Sequence, residues 1–397
     1  MTAAEAAQVI QNGGLVIVPT ETVYGIAADA MNEAAVRRIF EVKGRPPDKP
    51  LSVLVSGVSD LETLCRDVPE SAYTLAEAFW PGPLTMVLKK SGAVPALVTA
   101  GGDTVGVRCP DHETTREIIR LSAPLAAPSA NPSGAPSPGS ADAARRYFEG
   151  LADGVVDGGT CAVGVESTII DLTKSAPAIL RRGGLSKRAM EAALGAKIDG
   201  MTVIGLTGGT GAGKTSALRA LEALGALAID DDALYHELLQ RDAELLGELN
   251  GRFPGVVSGG ALDRKMLGGI VFQDEAALSD LNEIAHKYVR REVDWRIARW
   301  GGRLAAVDAV ALIESGRARK CDLVVGVTAP FETRLRRVMA RDKIDEQSAR
   351  NRINAQKEDA FYTENCDYIL RNDGGDAAEF EKTCKKFFAE IIGGQNG

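Results

Sequence analysis

The residues best placed to do chemistry are G-G-T-G-A-G-K-T, running from Gly208 to Thr215. The spacing GxxxxGK[ST] lets glycines turn backbone N–H groups inward around phosphate oxygens, and a helix opening there adds the partial positive charge of its N-terminus. Gly208, Gly209, Thr210, Gly211, Ala212 and Gly213 form the cradle. Lys214 should reach the β and γ phosphates of a nucleoside triphosphate, and Thr215 should help hold its Mg²⁺. No NKxD guanine-reading motif occurs, which counts against a GTPase. Downstream, ALAI is followed by Asp230-Asp231-Asp232. These acids suit helix caps, and Asp232 also suits a base that takes the proton of an attacking hydroxyl. Asp308, after LAAV, either binds Mg²⁺ through water or caps a turn. Arg334, Arg337 and Arg341 recur on one helical face. Their spacing alone favours a solvated charged face; a lid over the phosphates is the alternative.

A second polar set lies in residues 1–200, without any such loop. Thr20, Thr22 and Tyr24 are spaced by two and share one face if the chain is extended. KGRPPDKPL brings Lys43, Arg45 and Lys49 together on an irregular segment, because Gly44 and two prolines forbid a regular helix. Arg108 follows TVGV, Ser129 and Asn131 lie in PSAN, Ser167 and Thr168 open STIIDL, and Arg181 ends an apolar run. Each alone suits a turn or a cap. Several hydroxyls with several cations suggest a cleft for an anionic, polyhydroxylated ligand such as a nucleotide. His112, after CPD, reads as an ordinary surface residue.

Positioning these groups requires alternating strands and helices. Strand-like runs are LVIV (15–18), LSVLV (51–55), TMVL (85–88), TVGV (104–107), STIIDL (167–172), TVIGL (202–206), LAAV (304–307) and DLVVGV (322–327). Helical patterns are AAVRRIFEVK (34–43), KTSALRALEAL (214–224) and TRLRRVMARD (333–342). The alternation predicts an α/β protein. The best boundary lies near 185–201, where LSKRAMEAALGAKIDG reads as one closing helix. We therefore expect domains at 1–190 and 202–397, joined by a linker at 191–201.

The chain has 397 residues, 45% of them hydrophobic and 25% charged, and a net charge of −8. That length favours two or three domains with substantial cores. The acidic excess is shared equally, −4 on either side of residue 200, so net charge gives nonspecific nucleic-acid binding no support. Six scattered cysteines with no CxxC, three histidines, no secretory leader and no membrane-spanning run predict a cytoplasmic protein with free thiols.

The motifs of residues 202–392, in order GLTGGTGAGKT, IDDDALYHEL, ALDRKMLGGIVF, EIAH, VDAVALIESG, RINAQ and CDYILRNDG, resemble the dephospho-coenzyme A kinase family. The resemblance implies a P-loop kinase with a parallel sheet flanked by helices. It also implies ATP-dependent phosphorylation of the 3′-hydroxyl of dephospho-CoA. By position, Asp232 would be the base, Lys214 and Arg341 would be catalytic with Arg341 in the lid, Arg264 would contact dephospho-CoA, and Asn372 would lie near the adenine. Two departures, VALIE for the family's PLLFE and Lys287 for the Pro after the His, fall on the acceptor side. Another small-molecule P-loop kinase is the alternative.

PTETVYG, KGRP, KPL, FWPGPLT, VGVRCPDH, APSANPSG, GVESTIID and ILRRGG, over about residues 5–190, resemble the YrdC-like threonylcarbamoyl-AMP synthase family. This implies a twisted α/β sheet domain that condenses L-threonine, bicarbonate and ATP to L-threonylcarbamoyl-AMP and pyrophosphate, for t6A modification of tRNA. By position, Lys43, Arg45, Ser129, Asn131, Ser167 and Arg181 would bind ATP. Thr20, Thr22, Tyr24, Lys49, Arg108 and Thr168 would line the threonine and carbamate side. Mg²⁺ is expected with ATP, and no tightly bound organic cofactor. The family also allows tRNA or double-stranded RNA and the t6A transferase complex as partners. The alternative is a non-catalytic RNA-binding module.

Overall fold

The computed structural model describes residues 1–271, 273–374 and 376–393. Phe272, which ends the ALDRKMLGGIVF stretch, and the last four residues of the expected second domain lie outside the described residues. The chain divides into two compact units, Met1–Gly200 and Met201–Gly397. The segment expected to be a linker includes the last turn of the helix Lys187–Leu194, buried Ile198, and Asp199, which bridges to Ala178. That helix stops at Gly195 in the left-handed region (φ 60°).

In the first unit β1 (Val16–Val18), β2 (Gly25–Asp29), β3 (Ser52–Leu54), β4 (Leu84–Lys89), β5 (Thr104–Arg108), β6 (Leu125–Ala126), β7 (Gly154–Val155), β8 (Thr168–Asp171) and β9 (Ala178–Arg181) form one mixed sheet. Their order is β7-β1-β2-β6-β3-β5-β4-β8-β9. Side chains alternate between two cores, as the pleat requires. Ile17, Ile26, Val53 and Met86 pack with Val36, Ile39 and Leu75 from the helices Glu33–Lys43 and Glu70–Phe79. Val16, Val18, Ala27 and Leu54 pack with Ile10, Ile118 and Ile119 from Ala3–Gln11 and Glu113–Leu121. The helix Glu33–Lys43 starts at Asn32, whose side chain accepts from the N–H groups of Ala34 and Ala35, and ends at Gly44 with φ 56°. Those two caps fix where Lys43 sits.

In the second unit β10 (Thr202–Thr207), β11 (Leu227–Asp230), β14 (Leu304–Asp308), β15 (Leu323–Thr328) and β16 (Tyr368–Arg371) form a parallel sheet in the order β11-β14-β10-β15-β16; β12 (Val257–Ser258) and β13 (Ala261–Leu262) make a separate hairpin. β10 is central, and its residues between Thr202 and Thr207 are apolar or glycine because both its faces are covered. Val203 enters one core with Val307 and Leu312, while Ile204 and Leu206 enter the other with Leu218, Leu221 and Phe388. Register places Leu206 and Asp230 both opposite Asp308, so the strands end together at one edge. Ligands bind at that edge in open parallel sheets.

Candidate active sites

In the second unit β10 delivers the glycine loop and the helix Lys214–Glu222 receives it. Packing at the loop is tight. A Cβ on Gly208, whose φ is 137°, would lie 2.1 Å from the Val327 carbonyl oxygen, and one on Gly209 would lie 2.2 Å from Arg334 Nη2. Lys214 Nζ donates to the Gly208 carbonyl at 3.0 Å, and Thr215 stands exposed in the first turn of the helix. Donors from behind hold the loop carbonyls. Arg334 Nε donates to Thr210 O at 3.0 Å, Arg337 Nη1 to Gly211 O at 3.3 Å, and Asn372 Nδ2 to Ala212 O at 2.8 Å. Arg337 Nη2 also donates to Asn372 Oδ1 at 3.1 Å.

The helix Phe331–Asp342 is therefore no solvated charged face. Arg334 is only 6% exposed, because carbonyls in a glycine turn need donors and its guanidinium meets one of them. Arg341 is the exposed member, bonded to Asp342 and reaching Thr210 Oγ1 at 3.3 Å. Asn372 is buried, with both ends of its amide engaged by the loop and Arg337.

The three consecutive acids divide their work. Asp230 Oδ1 accepts from the N–H groups of Asp232 and Ala233 and is the cap. Asp231 Oδ2 lies 3.3 Å from Arg317 Nη1, and burial pushes its carboxyl up to about 6 against the opposing effect of Arg317. Asp231 and Asp232 line a cleft of ≈ 820 Å³, open mouth included, with Tyr235, Asn282, His286 and Arg317 among its other walls. Val310 and Ala311 of the departing VALIE segment line it too, and the Val310 carbonyl accepts from Thr207 Oγ1 at 3.1 Å, one residue before the glycine loop. Lys287 Nζ meets Glu248 Oε2 at 2.5 Å. Arg264 is exposed on the helix Arg264–Val271 and is not among the cleft's walls, though its charge acts on Tyr235.

Asp308 is 6% exposed, and its Oδ1 is buried with no hydrogen-bond partner. Burial pushes its carboxyl up to about 7, with Lys214 opposing and Asp230, Asp232 and Asp231 adding to the rise. A carboxyl raised in the fold stabilises it while protonated. That contribution is complete below the ordinary value near 4 and is lost as pH rises through about 7. Asp308→Asn should therefore flatten the fall in thermal stability of the ligand-free second unit between pH 4 and pH 7. Melting curves across that range check it; an unchanged fall would place the titration elsewhere. Among the described residues no three His, Cys, Asp or Glu groups are arranged to hold a metal ion. The unpaired Asp308 oxygen and the exposed Thr215 hydroxyl nonetheless suit a cation whose other ligands are water and phosphate.

The first unit builds its site from side chains alone. A cleft of ≈ 510 Å³, open mouth included, is lined by Thr20, Thr22, Tyr24, Arg108, Ser129, Ser167 and Arg181 among the expected residues. Thr20 and Thr22 hydroxyls are 2.8 Å apart, but the chain there is not extended. Pro19 ends β1, and Thr20 Oγ1 accepts from the N–H groups of Thr22 and Val23 and donates to Val23 O at 2.6 Å. This local turn overrides the spacing of two and leaves Tyr24 to bond elsewhere: its hydroxyl donates to Gly159 O at 2.7 Å and accepts from Gly158 N at 2.9 Å. Arg108 Nη2 meets Glu21 Oε1 at 2.7 Å, with both side chains buried. Ser167 Oγ bonds Thr85 Oγ1 at 2.7 Å and accepts from Arg181 Nη2 at 3.0 Å.

Other expected residues are not among the walls of this cleft. Lys43 is helical and buried, donating to the carbonyls of Ser129 and Asn131; burial, with Arg45 nearby, lowers its ammonium to about 8. Arg45 closes its own segment by donating to Lys49 O and Pro50 O, and Lys49 is exposed. Asn131 Nδ2 holds Ala135 O at 2.6 Å. Thr168 donates to Leu185 O and accepts from the N–H groups of Gly183 and Leu185. His112 is half-buried against Gly158 and Pro19 rather than on the surface. Sequence reasoning passed over Ser52, Thr85 and Glu166, which line the cleft, and Glu21, which pairs with Arg108. Glu21 stands inside PTETVYG and Thr85 inside FWPGPLT, so the motifs contained them, but only folding shows which side of the chain faces the cleft.

Comparison with known proteins finds separate relatives for each unit. Residues 8–183 match the family model of Sua5, YciO and YrdC proteins, described as telomere recombination, and residues 202–378 match the dephospho-CoA kinase model. A threonylcarbamoyl-AMP synthase of Pyrococcus abyssi is 52% identical over 191 residues, 48% of this chain and 56% of that protein. The chain thus spans little more than half the length of that relative. A dephospho-CoA kinase of Thermobifida fusca is 38% identical over 177 residues, 44% of this chain and 88% of that protein. The solved structure of P. abyssi Sua5 complexed with L-threonine superposes with a TM-score of 0.52 and 34% identity, covering 82% of this chain and 96% of that one. With its first unit carrying the side-chain cleft and its second the glycine loop, the chain belongs to the Sua5/YciO/YrdC family and to the dephospho-CoA kinase family at once.

Proposed function

We propose that the chain is a cytoplasmic bifunctional enzyme with two ATP-using sites. The observation that carries this reading is that each compact unit holds its own polar cleft, and the two are built on unrelated principles: backbone and helix terminus in one, hydroxyls and guanidinium groups in the other. No helix among the described residues is long and apolar enough to cross a membrane, and all substrates are water-soluble.

In the second unit ATP lies with its phosphates on Gly208–Thr215, and dephospho-CoA enters the cleft beside Asp232. Asp232 takes the proton of the ribose 3′-hydroxyl, whose oxygen attacks the γ phosphorus as ADP leaves. Lys214 and Arg341 offset the charge gathering on the transferred group. Mg²⁺, when bound, neutralises phosphate charge beside Thr215 and Asp308. Asp232 is assigned the proton because it is the exposed acid of the cleft, whereas Asp231 is turned towards Arg317. Arg264, on the rim, meets the acceptor from outside. Asn372 serves the adenine side through the loop it supports.

In the first unit threonine's amine combines with bicarbonate to a carbamate, with loss of water. A carbamate oxygen then attacks the α phosphorus of ATP and pyrophosphate leaves. Thr20, Thr22, Tyr24 and Arg108 face the threonine and carbamate, with Lys49 at the mouth and Thr168 shaping the floor. Ser129, Ser167 and Arg181 face ATP, while Lys43, Arg45 and Asn131 hold the loops that carry them. Proximity and fixed positive charge suffice, and no protein nucleophile is required. The product would pass to a t6A transferase complex acting on tRNA.

The test is to assay the intact chain for both reactions. Pyrophosphate release should require threonine and bicarbonate, and ADP formation should require dephospho-CoA. Salt-dependent tRNA binding without threonine-dependent turnover would instead make the first unit an RNA-binding module. Within the kinase reading, Asp232→Asn should lower kcat on the order of 10²–10⁴-fold with little change in KM for ATP, since a base acts in the transition state. Unchanged kcat in that variant would remove Asp232 as the base.

A further inference from the structure

Gln356 lies just beyond the helix Glu346–Asn354, far from the glycine loop in sequence yet bonded to it. Its Oε1 accepts from Thr210 N at 2.7 Å and from Arg334 Nη2 at 3.2 Å. Two donors converging on one atom fix the orientation of the amide: the oxygen must be the end on the loop. Among the described residues Nε2 donates to nothing. Arg334 closes the ring by donating to Thr210 O at 3.0 Å. Both the N–H and the C=O of Thr210 are thus held by side chains from the segment Phe331–Gln356, one on each side of the residue. Gly209 has no side chain to support it and Gly211 sits at φ 76°, so little within the loop itself opposes a rotation of these peptides.

We propose that Gln356 is a positioning residue for the phosphates of ATP, acting through Thr210 and Arg334 to keep the middle of the loop in its binding shape. It does so with its oxygen. The role couples the loop to the helix carrying Arg334 and Arg341 and to the turn carrying Gln356, so a nucleotide that seats the loop also seats them. This deepens the assignment of ATP to the second unit and rests on it.

The variants Gln356→Leu and Gln356→Glu separate the role from simple packing. Leucine fills similar space but accepts no hydrogen bond. Glutamate keeps an acceptor for both donors and adds a charge that suits Arg334. With the full chain, Gln356→Leu should raise KM for ATP about tenfold, leave kcat within about twofold and leave KM for dephospho-CoA unchanged; Gln356→Glu should return KM for ATP to within about threefold of the parent. Calorimetric titration with ATP and Mg²⁺, taking as the second-unit site whatever binding Lys214→Ala removes, should show the same order of affinities. Parent-like KM in Gln356→Leu would overturn the proposal. So would a Gln356→Glu variant as impaired as Gln356→Leu, because the amide nitrogen and not the oxygen would then matter. A chain that lacks dephospho-CoA kinase activity but shows this order of affinities would overturn the kinase reading and leave the role of Gln356 standing.

Discussion

Replacing Lys214 by alanine will remove ADP formation dependent on dephospho-CoA, by on the order of 10²–10³-fold or more, and leave threonine-dependent pyrophosphate release at its parent rate. The first effect follows from position. Lys214 Nζ is 3.0 Å from the Gly208 carbonyl, curled over the loop proposed to hold the phosphates. An ammonium there offsets charge that grows as the γ-phosphoryl group moves, and water in the space left by alanine screens the charge without being fixed in place. The second effect follows from the architecture. Every residue lining the cleft of the first unit belongs to that unit, so the reaction proposed there should not require the glycine loop. Both activities are measured on one preparation of the intact variant. Loss of both together would mean that the chain has one ATP site rather than two, and would sink the bifunctional reading.

Replacing Arg108 by methionine will destabilise the first unit by about 3–5 kcal/mol and abolish threonine-dependent pyrophosphate release. Arg108 and Glu21 are 6% and 8% exposed, and their charged ends meet at 2.7 Å. Methionine fills the channel of the arginine stem but leaves a buried carboxylate with only the Asp111 N–H, 3.0 Å from Glu21 Oε2. A carboxylate stripped of its partner away from water is among the largest single penalties a fold meets. The double variant Arg108→Met with Glu21→Gln separates stability from chemistry. Glutamine is neutral and still accepts the Asp111 bond, so most of the stability should return. Pyrophosphate release should not, because the cation facing the cleft is still missing. Thermal melts with the steady-state assay check both parts. A double variant that recovers activity would make the pair purely structural.

The two halves were unequally legible. The kinase-type loop declares itself because its function resides in backbone geometry, and backbone geometry is written in glycines at fixed intervals followed by Lys and Thr. Asp230, Asp231 and Asp232 could be named but not assigned roles. Capping, ion pairing and proton transfer all call for the same carboxylate, and only the cap geometry at Asp230 and the arrival of Arg317 from 86 residues away divide them. The spacing of Arg334, Arg337 and Arg341 by itself allows either a charged face turned to water or a lid over the phosphates. A helical stripe states which residues share a side, not what that side meets, and here it meets the open carbonyls of the loop.

In the first unit the motifs named most of the cleft but mixed its lining with its supports. Lys43 and Thr168 look like ligand contacts by residue type, yet each has its polar atom engaged by backbone of another segment, and the Asn131 amide nitrogen is taken up by carbonyls of its own loop. Two-residue strands such as β6 and β7 carry too few positions for any period to show. What the sequence determined by itself was local: the class of each element, the glycine loop, the division near residue 200 and both family memberships, all of which depend on neighbours along the chain. What only the tertiary structure decided was which polar groups are free to meet a ligand. That depends on which carbonyls and carboxylates arrive from distant segments to take up the available donors, and pairing across such distances leaves no period in the chain that makes it.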